Sequence, residues 1–361
     1  MIGHPALQTR LCDVLGVPYP IVQSAMGWVA TESLAVASAR AGCFPFLAAA
    51  TQTAAEAERS IVHVRETVDS PFGVNFLMQQ PGADAIVEAI IRHGVHAAGY
   101  SRSPEPRLIE RLREHGVVCI PTVGHPRHAL KAVALGADAL IAQGAEGGGH
   151  TGTLVTGQLV PQIATSVDVP VVAAGGFMDG GGLISALALG AAGIAMGTRF
   201  LLTAESPVPE HVKETYLRAS LDDTVVSARI DSLPQRVLRN EAARELEGAG
   251  RLTRLLRTLQ NARAYRSQTD ATVTDLVRIL LRQANRRDGE AVATIFAANA
   301  AMLPRAALVD GDVVHGVMPA GQVVGRIKDL PTCDDLVRRI VTEAEATLVR
   351  LEIAAGSPPG R

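Results

Sequence analysis

The sequence predicts an α/β fold, a (β/α)8 barrel with a helical insertion between its eighth strand and its last helix. Three observations carry this reading. Short apolar runs recur eight times up to residue 200, alternating with amphipathic stretches. The runs read as near-continuous apolar segments rather than alternating ones, the pattern of strands buried on both faces in a parallel sheet. Several of the amphipathic stretches end in a glycine suited to stopping a helix: Gly42, Gly94, Gly116, Gly136 and Gly190. Eight such units joined by crossover helices close into a barrel. A doubly wound open sheet is the alternative. The first run is not followed by G-x-G-x-x-G, which argues against a dinucleotide-binding form of that sheet.

The candidate strands are 20–26, 44–50, 72–77, 95–101, 117–124, 137–144, 169–176 and 193–200. Helical patterns occupy 32–41, 54–68, 84–93, 106–115, 126–135, 158–166 and 181–189. After Phe200 the character changes. Residues 205–300 read as helical, polar and Arg-rich, with no convincing strand. Arg244, Arg251, Arg254, Arg257, Arg263, Arg266, Arg278, Arg282, Arg286 and Arg287 crowd this segment. An amphipathic helix at 332–351 follows Pro331 and is expected to complete the barrel. The expected division is a barrel made of 1–204 and 319–361, with 205–318 as a helical substrate or lid insertion over the barrel mouth.

Composition narrows the function. A chain of 361 residues with 47% hydrophobic content can bury a large core. No apolar run reaches the roughly 18 residues that would span a bilayer, and the start of the chain has no secretory pattern. A net charge of −2 gives no bulk electrostatic case for nucleic acid. Cys12, Cys43, Cys119 and Cys333 are widely spaced, which suits neither a disulfide framework nor a zinc site. A reduced, cytoplasmic protein is expected. His125 and His128 lack the partners of a metal site, so no metal is expected. A homodimer is left open.

The stretch Gln143-Gly144-Ala145-Glu146-Gly147-Gly148-Gly149-His150-Thr151-Gly152 follows the sixth run. Three successive glycines let a backbone approach a ligand closely, because no Cβ stands in the way. The histidine that follows them is suited to proton transfer at neutral pH. A tight turn with His150 capping a helix is the structural alternative. Barrel ligands bind at the C-terminal ends of the strands. There the sequence puts Gln23-Ser24-Ala25-Met26-Gly27-Trp28, Asn75, Gln143, Ala174-Gly175-Gly176 and Met196-Gly197-Thr198-Arg199-Phe200. The turns after the seventh and eighth strands lie where barrel phosphate sites lie. Their backbone N–H groups, the Thr198 hydroxyl and a helix opening at Asp179-Gly180 suit an anion. Glycines that only relieve crowding at the barrel corners are the alternative. Asn75 and Gln143 can each donate and accept, as a pyrimidine edge requires. A phosphate site, a glycine floor and an amide wall together describe a planar phosphorylated cofactor, and flavin mononucleotide (FMN) fits best.

These motifs resemble the nitronate monooxygenase (2-nitropropane dioxygenase) family of FMN-dependent barrels, which includes flavin enoyl reductases and NADH:quinone reductases. The resemblance covers residues 10–350. It rests on Val22-Gln23-Ser24-Ala25-Met26-Gly27, Gly73-Val74-Asn75, the 143–152 stretch, Ala173-Ala174-Gly175-Gly176, Met196-Gly197-Thr198-Arg199-Phe200 and Ala320-Gly321-Gln322. It implies that Ala25, Met26, Asn75, Gln143, Gly148, Gly175, Gly176, Gly197 and Thr198 surround FMN, and Gly27, Gly147 and Gly149 are expected to line the same site. It implies that His150 is the catalytic base. The Ser24-Ala25-Met26 turn departs from the family's more usual Ala-Pro-Met, and the insertion is long. Both features look closer to actinobacterial members that degrade steroid rings as coenzyme A thioesters.

Three activities follow as expectations: oxidation of a nitronate or nitroalkane, dehydrogenation or reduction of an enone-like acyl-CoA, and NAD(P)H-dependent flavin reduction. A non-catalytic flavin-binding protein is the remaining class. Arg254 and Arg257 are spaced i, i+3, as are Arg263 and Arg266, so each pair shares a helix face. A guanidinium pairs phosphate oxygens bidentately, so Arg254 and Arg257 are expected to grip a coenzyme A phosphate. A solvated arginine-rich face is the alternative. Trp28, the only tryptophan, and Gln322 are expected to face the substrate. Plain packing is the alternative for Trp28.

Overall fold

A computed structural model of the chain describes residues 4–101, 104–248 and 297–354. Eight parallel strands close into a barrel, as the continuous apolar runs require. They are β1 (Ile21–Gln23), β2 (Phe44–Ala48), β3 (Gly73–Asn75), β4 (Ala97–Ser101), β5 (Val118–Val123), β6 (Leu140–Gln143), β8 (Val171–Ala174) and β9 (Gly193–Met196). The strand β7 (Gly149–His150) lies outside the barrel wall. Closure is made by β9 against β1, with Gln23 beside Met196. Every strand is shorter than its apolar run. In the last case the chain turns at Gly197 into the short helix α9 (Thr198–Leu201), so residues expected in a strand leave the sheet at its C-terminal rim.

Large and small residues alternate inside the barrel. Phe44 and Phe46 of β2 reach across it, beside Val22, Ala97, Ile120, Ile141, Val172 and Ala195. A methyl group at Gly73 or Gly99 would strike the Phe46 ring, so these two strands are bare where the ring lies. The helix α1 (Arg10–Leu15) adds Leu11 and Leu15 to the same cluster and closes the N-terminal end. The opposite end is left for chemistry.

Helices α2 (Glu32–Arg40), α3 (Ala54–Thr67), α4 (Ala83–Arg92), α5 (Pro106–Glu114), α6 (Pro126–Ala134), α7 (Thr156–Ala164) and α8 (Gly180–Ala188) follow successive strands. Their ends obey local rules. Thr53 and Glu56 form a reciprocal capping box at the start of α3. The five glycines read as helix stops all lie at positive φ, from 61° to 95°. His125 is used as an N-cap, its Nδ1 accepting from the Arg127 N–H at 3.2 Å.

Helix α10 (Glu210–Arg218), strands β10 (Thr224–Ser227) and β11 (Gln235–Leu238), and helices α11 (Glu241–Gly248) and α12 (Ala297–Leu308) follow α9. The final helix α13 (Cys333–Ala354) packs between α8 and α2 and completes the ring, as expected for 332–351. The expectation of no strand in 205–300 is corrected. β10 and β11 form an antiparallel hairpin, and β11 pairs in turn with β7. Four-residue strands give too short a period to read, and the partner that orders them lies far away in sequence.

Candidate functional site

The C-terminal rim of the barrel gathers most of the residues singled out from the sequence. Asn75 ends β3 beside Gly99, Gln143 ends β6 beside Ala174, and Gln23 ends β1 beside Met196. Gly175 and Gly176 follow β8, and Gly197 and Thr198 follow β9. Gly175 and Gly176 are consecutive left-handed residues, at φ 105° and 89°, a turn that favours glycine. The backbone N–H groups of Gly175, Gly176 and Gly197 find no acceptor among the described residues. Met26 faces this turn, its sulfur 3.5 Å from where a Gly197 Cβ would stand.

The helix opening at Asp179-Gly180 offers fewer free donors than a bare N-terminus would. Two of the first three N–H groups of α8 are already satisfied by side chains. Asp179 accepts from the Gly182 N–H at 2.8 Å, and Glu343 accepts from the Gly180 N–H at 3.0 Å. The Gly181 N–H finds no acceptor among the described residues, so it remains as a donor beside the turn amides. The Thr198 hydroxyl accepts from the Gly321 N–H at 2.9 Å and keeps its own proton to donate.

The glycine loop after β6 is locked from behind. Glu146 accepts from the Thr156 N–H and lies 2.8 Å from its hydroxyl, while its carbonyl accepts from the Gln322 N–H at 2.9 Å. Gly148 is backed by the Ala320–Gly321 peptide: a Cβ there would lie 2.7 Å from Ala320 C and Gly321 N. A Cβ at Gly147 would meet the Gln143 side chain at 2.8 Å. For these two glycines, close packing of the protein on itself supplies a reason beyond approach to a ligand. Gly149 differs: it is left-handed, φ 69°, with open space where a Cβ would go.

His150 does not cap a helix. It sits in β7, opposite Gln235 of β11. Its carbonyl accepts from Gln143 Nε2 at 2.7 Å, so one donor of the expected amide wall is used to hold the histidine backbone. Its ring Nε2 lies 2.6 Å from Asp231 Oδ2. The imidazole is 38% exposed, whereas the Asp231 side chain is 3% exposed. Asp231 stands in the β10–β11 turn, and its Oδ1 accepts from the Leu233 N–H at 3.1 Å. The turn is tied again where the Thr151 N–H meets the Pro234 carbonyl at 3.0 Å. Burial pushes the Asp231 carboxyl up, but the His150 ring outweighs it, and Gln235 and the Leu233 N–H assist. The net result holds the carboxyl below the usual aspartate value. Asp231 was missed in the sequence. The signal available was the turn-forming run Asp231-Ser232-Leu233-Pro234, which marks a reversal without naming its target.

Trp28 lies in the loop after β1 with φ 67°, strained for a bulky residue. Its indole N–H donates to the Ala301 carbonyl at 2.8 Å, and the Arg305 guanidinium stands over the ring at 5.6 Å. This ties the barrel rim to α12. The side-chain amide of Asn75 makes no hydrogen bond to a described residue, and Gln322 is exposed at the same rim. Arg254, Arg257, Arg263 and Arg266 lie outside the described residues. Among the described residues, no cluster of His, Cys, Asp and Glu suits a metal ion, and no helix is long and apolar enough to cross a membrane.

This arrangement offers bare amides for an anion, a free amide on the same rim, and a half-exposed imidazole backed by a buried carboxylate. The chain itself is matched in sequence. The nitronate monooxygenase family model fits residues 8–98 and 83–343. Two relatives are named (3aS,4S,5R,7aS)-5-hydroxy-7a-methyl-1-oxo-octahydro-1H-indene-4-carboxyl-CoA dehydrogenase. The one from Rhodococcus jostii is 45% identical over 338 residues, 94% of this chain and 96% of the relative. The one from Mycobacterium tuberculosis is 45% identical over 341 residues, with the same coverage. A probable nitronate monooxygenase from Staphylococcus saprophyticus is 31% identical, covering 65% of this chain and 79% of that protein. Among solved structures, FabK from Thermotoga maritima superposes with a TM-score of 0.78 at 30% identity, covering 96% of this chain and 99% of that one. The nitroalkane oxidase from Streptomyces ansochromogenes gives a TM-score of 0.74 at 28% identity, covering 94% and 99%. The chain belongs to the nitronate monooxygenase family, whose members are flavin oxidoreductases, and is itself an oxidoreductase.

Proposed function

We propose that this protein is an FMN-dependent dehydrogenase of a cyclic acyl-CoA, with His150 as the base. The observation that carries the reading is the imidazole at the barrel rim, open on one side and backed by a buried carboxylate. The free turn amides of Gly175, Gly176 and Gly197 fit one phosphate group, which favours FMN over a dinucleotide. Asn75 fits the edge of a planar ring, and Ala25, Met26, Gly27, Gln143 and Gly147–Gly149 form the remaining wall and floor. Bound FMN supplies a two-electron acceptor. His150 takes the proton from the carbon next to the thioester carbonyl, whose acidity the carbonyl raises. An acceptor of that kind would take up the hydride equivalent from the neighbouring carbon, which would leave a C=C bond conjugated to the thioester. The full-length similarity to two carboxyl-CoA dehydrogenases favours a thioester over a small nitro compound. Residues 205–318 are the insertion that covers the substrate. Arg254 and Arg257 grip a coenzyme A phosphate, Gln322 faces the acyl group, and Trp28 holds the lid on the rim. The four free, buried cysteines suit the cytoplasm.

The second reading, oxidation of a nitronate, is favoured by the match to the family model and by the nitroalkane oxidase fold. It uses the same base and the same cofactor site. Anaerobic titration of the FMN-loaded protein separates the two. Bleaching of the flavin by a saturated cyclic acyl-CoA supports the thioester reading. Bleaching or nitrite release with nitroalkanes alone replaces it by the second.

A further inference from the structure

We propose that Asp231 is a positioning residue that holds His150 as the Nε2–H tautomer, so that Nδ1 is the atom that accepts the substrate proton. The inference rests on His150 being the base and adds the residue that orients it.

An ionised carboxylate can only accept hydrogen bonds. The 2.6 Å contact between His150 Nε2 and Asp231 Oδ2 therefore requires the proton on the nitrogen. In a neutral imidazole the other nitrogen then carries the only lone pair. Nδ1 makes no hydrogen bond to a described residue, and the ring is the exposed partner of the pair. Nδ1 is thus free to take a proton. The carboxylate remains beside Nε2 to stabilise the imidazolium that forms.

The surroundings keep the carboxylate ionised. Its second oxygen is occupied by the Leu233 N–H. The Gln235 amide approaches from β11 without meeting hydrogen-bond geometry. The other charged groups packed around β7 face elsewhere. Arg236 donates through Nε to the Ala145 carbonyl and through a terminal nitrogen to Thr224, and Glu146 is turned to Thr156. Asp231 belongs to the β10–β11 hairpin, so a segment read as a lid also supplies half of the base.

The test uses the FMN-loaded protein labelled with 15N-histidine. Long-range 1H–15N spectra at neutral pH identify the tautomer of each ring, and the His150→Gln spectrum assigns the His150 signals. The parent should hold Nε2–H. In Asp231→Asn the amide can donate to Nε2, so the Nδ1–H form should appear. Turnover of protonated substrate should fall by about 10²- to 10⁴-fold in kcat, with KM little changed and a preformed carbanion still oxidised. A parent that carries Nδ1–H or an even mixture overturns the proposal, and that measurement needs no variant to fold. An Asp231→Asn protein with unchanged tautomer and a rate within threefold also overturns it. A parent holding Nε2–H that bleaches with no thioester sinks the thioester reading and leaves the role of Asp231 standing.

Discussion

Gly148 and Gly149 are adjacent, yet alanine at each should fail for a different reason. At Gly148 a Cβ would lie 2.7 Å from two backbone atoms, Ala320 C and Gly321 N. Backbone cannot rotate aside, so the loop or the 320–322 segment must shift. Overpacking of this kind costs about 1–3 kcal/mol. The shift would also loosen the bond from the Gln322 N–H to the Glu146 carbonyl and move His150, two residues on. At Gly149 nothing lies within 4 Å, and only the positive φ of 69° opposes a side chain. A left-handed residue costs about 1–2 kcal/mol. The lower entropy of an unfolded chain with alanine returns about 0.4–1 kcal/mol at either position, so the ranking rests on the steric and backbone terms. Gly149→Ala should therefore lose less stability than Gly148→Ala. Its methyl enters the open side of the rim, so its larger effect should fall on FMN or substrate affinity. Chemical denaturation gives the first quantity and flavin fluorescence titration the second. If Gly149→Ala is the less stable variant, or if it binds and turns over as the parent does, the assignment of one glycine to packing and the other to the ligand face is wrong.

His150→Ala should keep bound flavin while losing about 10²–10⁴-fold in turnover of protonated substrates; equal loss for a preformed nitronate would count against a base. Gly176→Asp should abolish FMN binding, because it sets a carboxylate among the turn amides. Gly176→Ala, at φ 89° with the nearest atom 3.6 Å away, should only weaken it, and flavin retention on gel filtration separates the two. The folded-state pKa of Asp231 is lowered, so the stability it contributes is present above the usual aspartate range of about 3.9 and lost as pH falls through its folded value. The stability gap between parent and Asp231→Asn should therefore be level near neutrality and close below that range, read from urea midpoints at a series of pH values. Calorimetry of coenzyme A with the FMN-loaded enzyme should show binding that weakens in the Arg254→Ala, Arg257→Ala double mutant and with added salt. Unchanged affinity would move the phosphate contact to other residues.

The barrel was legible because its signal repeats. Each run such as 137–144 is mostly apolar on both faces, and each helix stop such as Gly136 needs a left-handed glycine whatever surrounds it. The rim residues were legible for a related reason. A strand's C-terminal end is fixed by the strand, so Asn75, Gln143 and Gly197 reach one rim without knowledge of any contact between them. What a side chain does at that rim was less legible. Gln143 holds the His150 carbonyl and Trp28 holds Ala301. Both depend on partners that local pattern does not encode.

The pairing of His150 with Asp231 spans 81 residues and joins two segments that look unrelated in sequence. Neither is stable as a strand alone: β7 has two residues, and the hairpin β10–β11 four in each arm. A two-stranded hairpin is marginal in water, and a third strand is what steadies it. The base loop therefore supplies the strand that orders the hairpin, and the hairpin supplies the carboxylate that orders the base. This mutual dependence makes assembly of the site cooperative. A change in the hairpin that never touches the substrate, such as disruption of the bond between Thr151 and Pro234, should weaken catalysis through His150 before it unfolds the barrel.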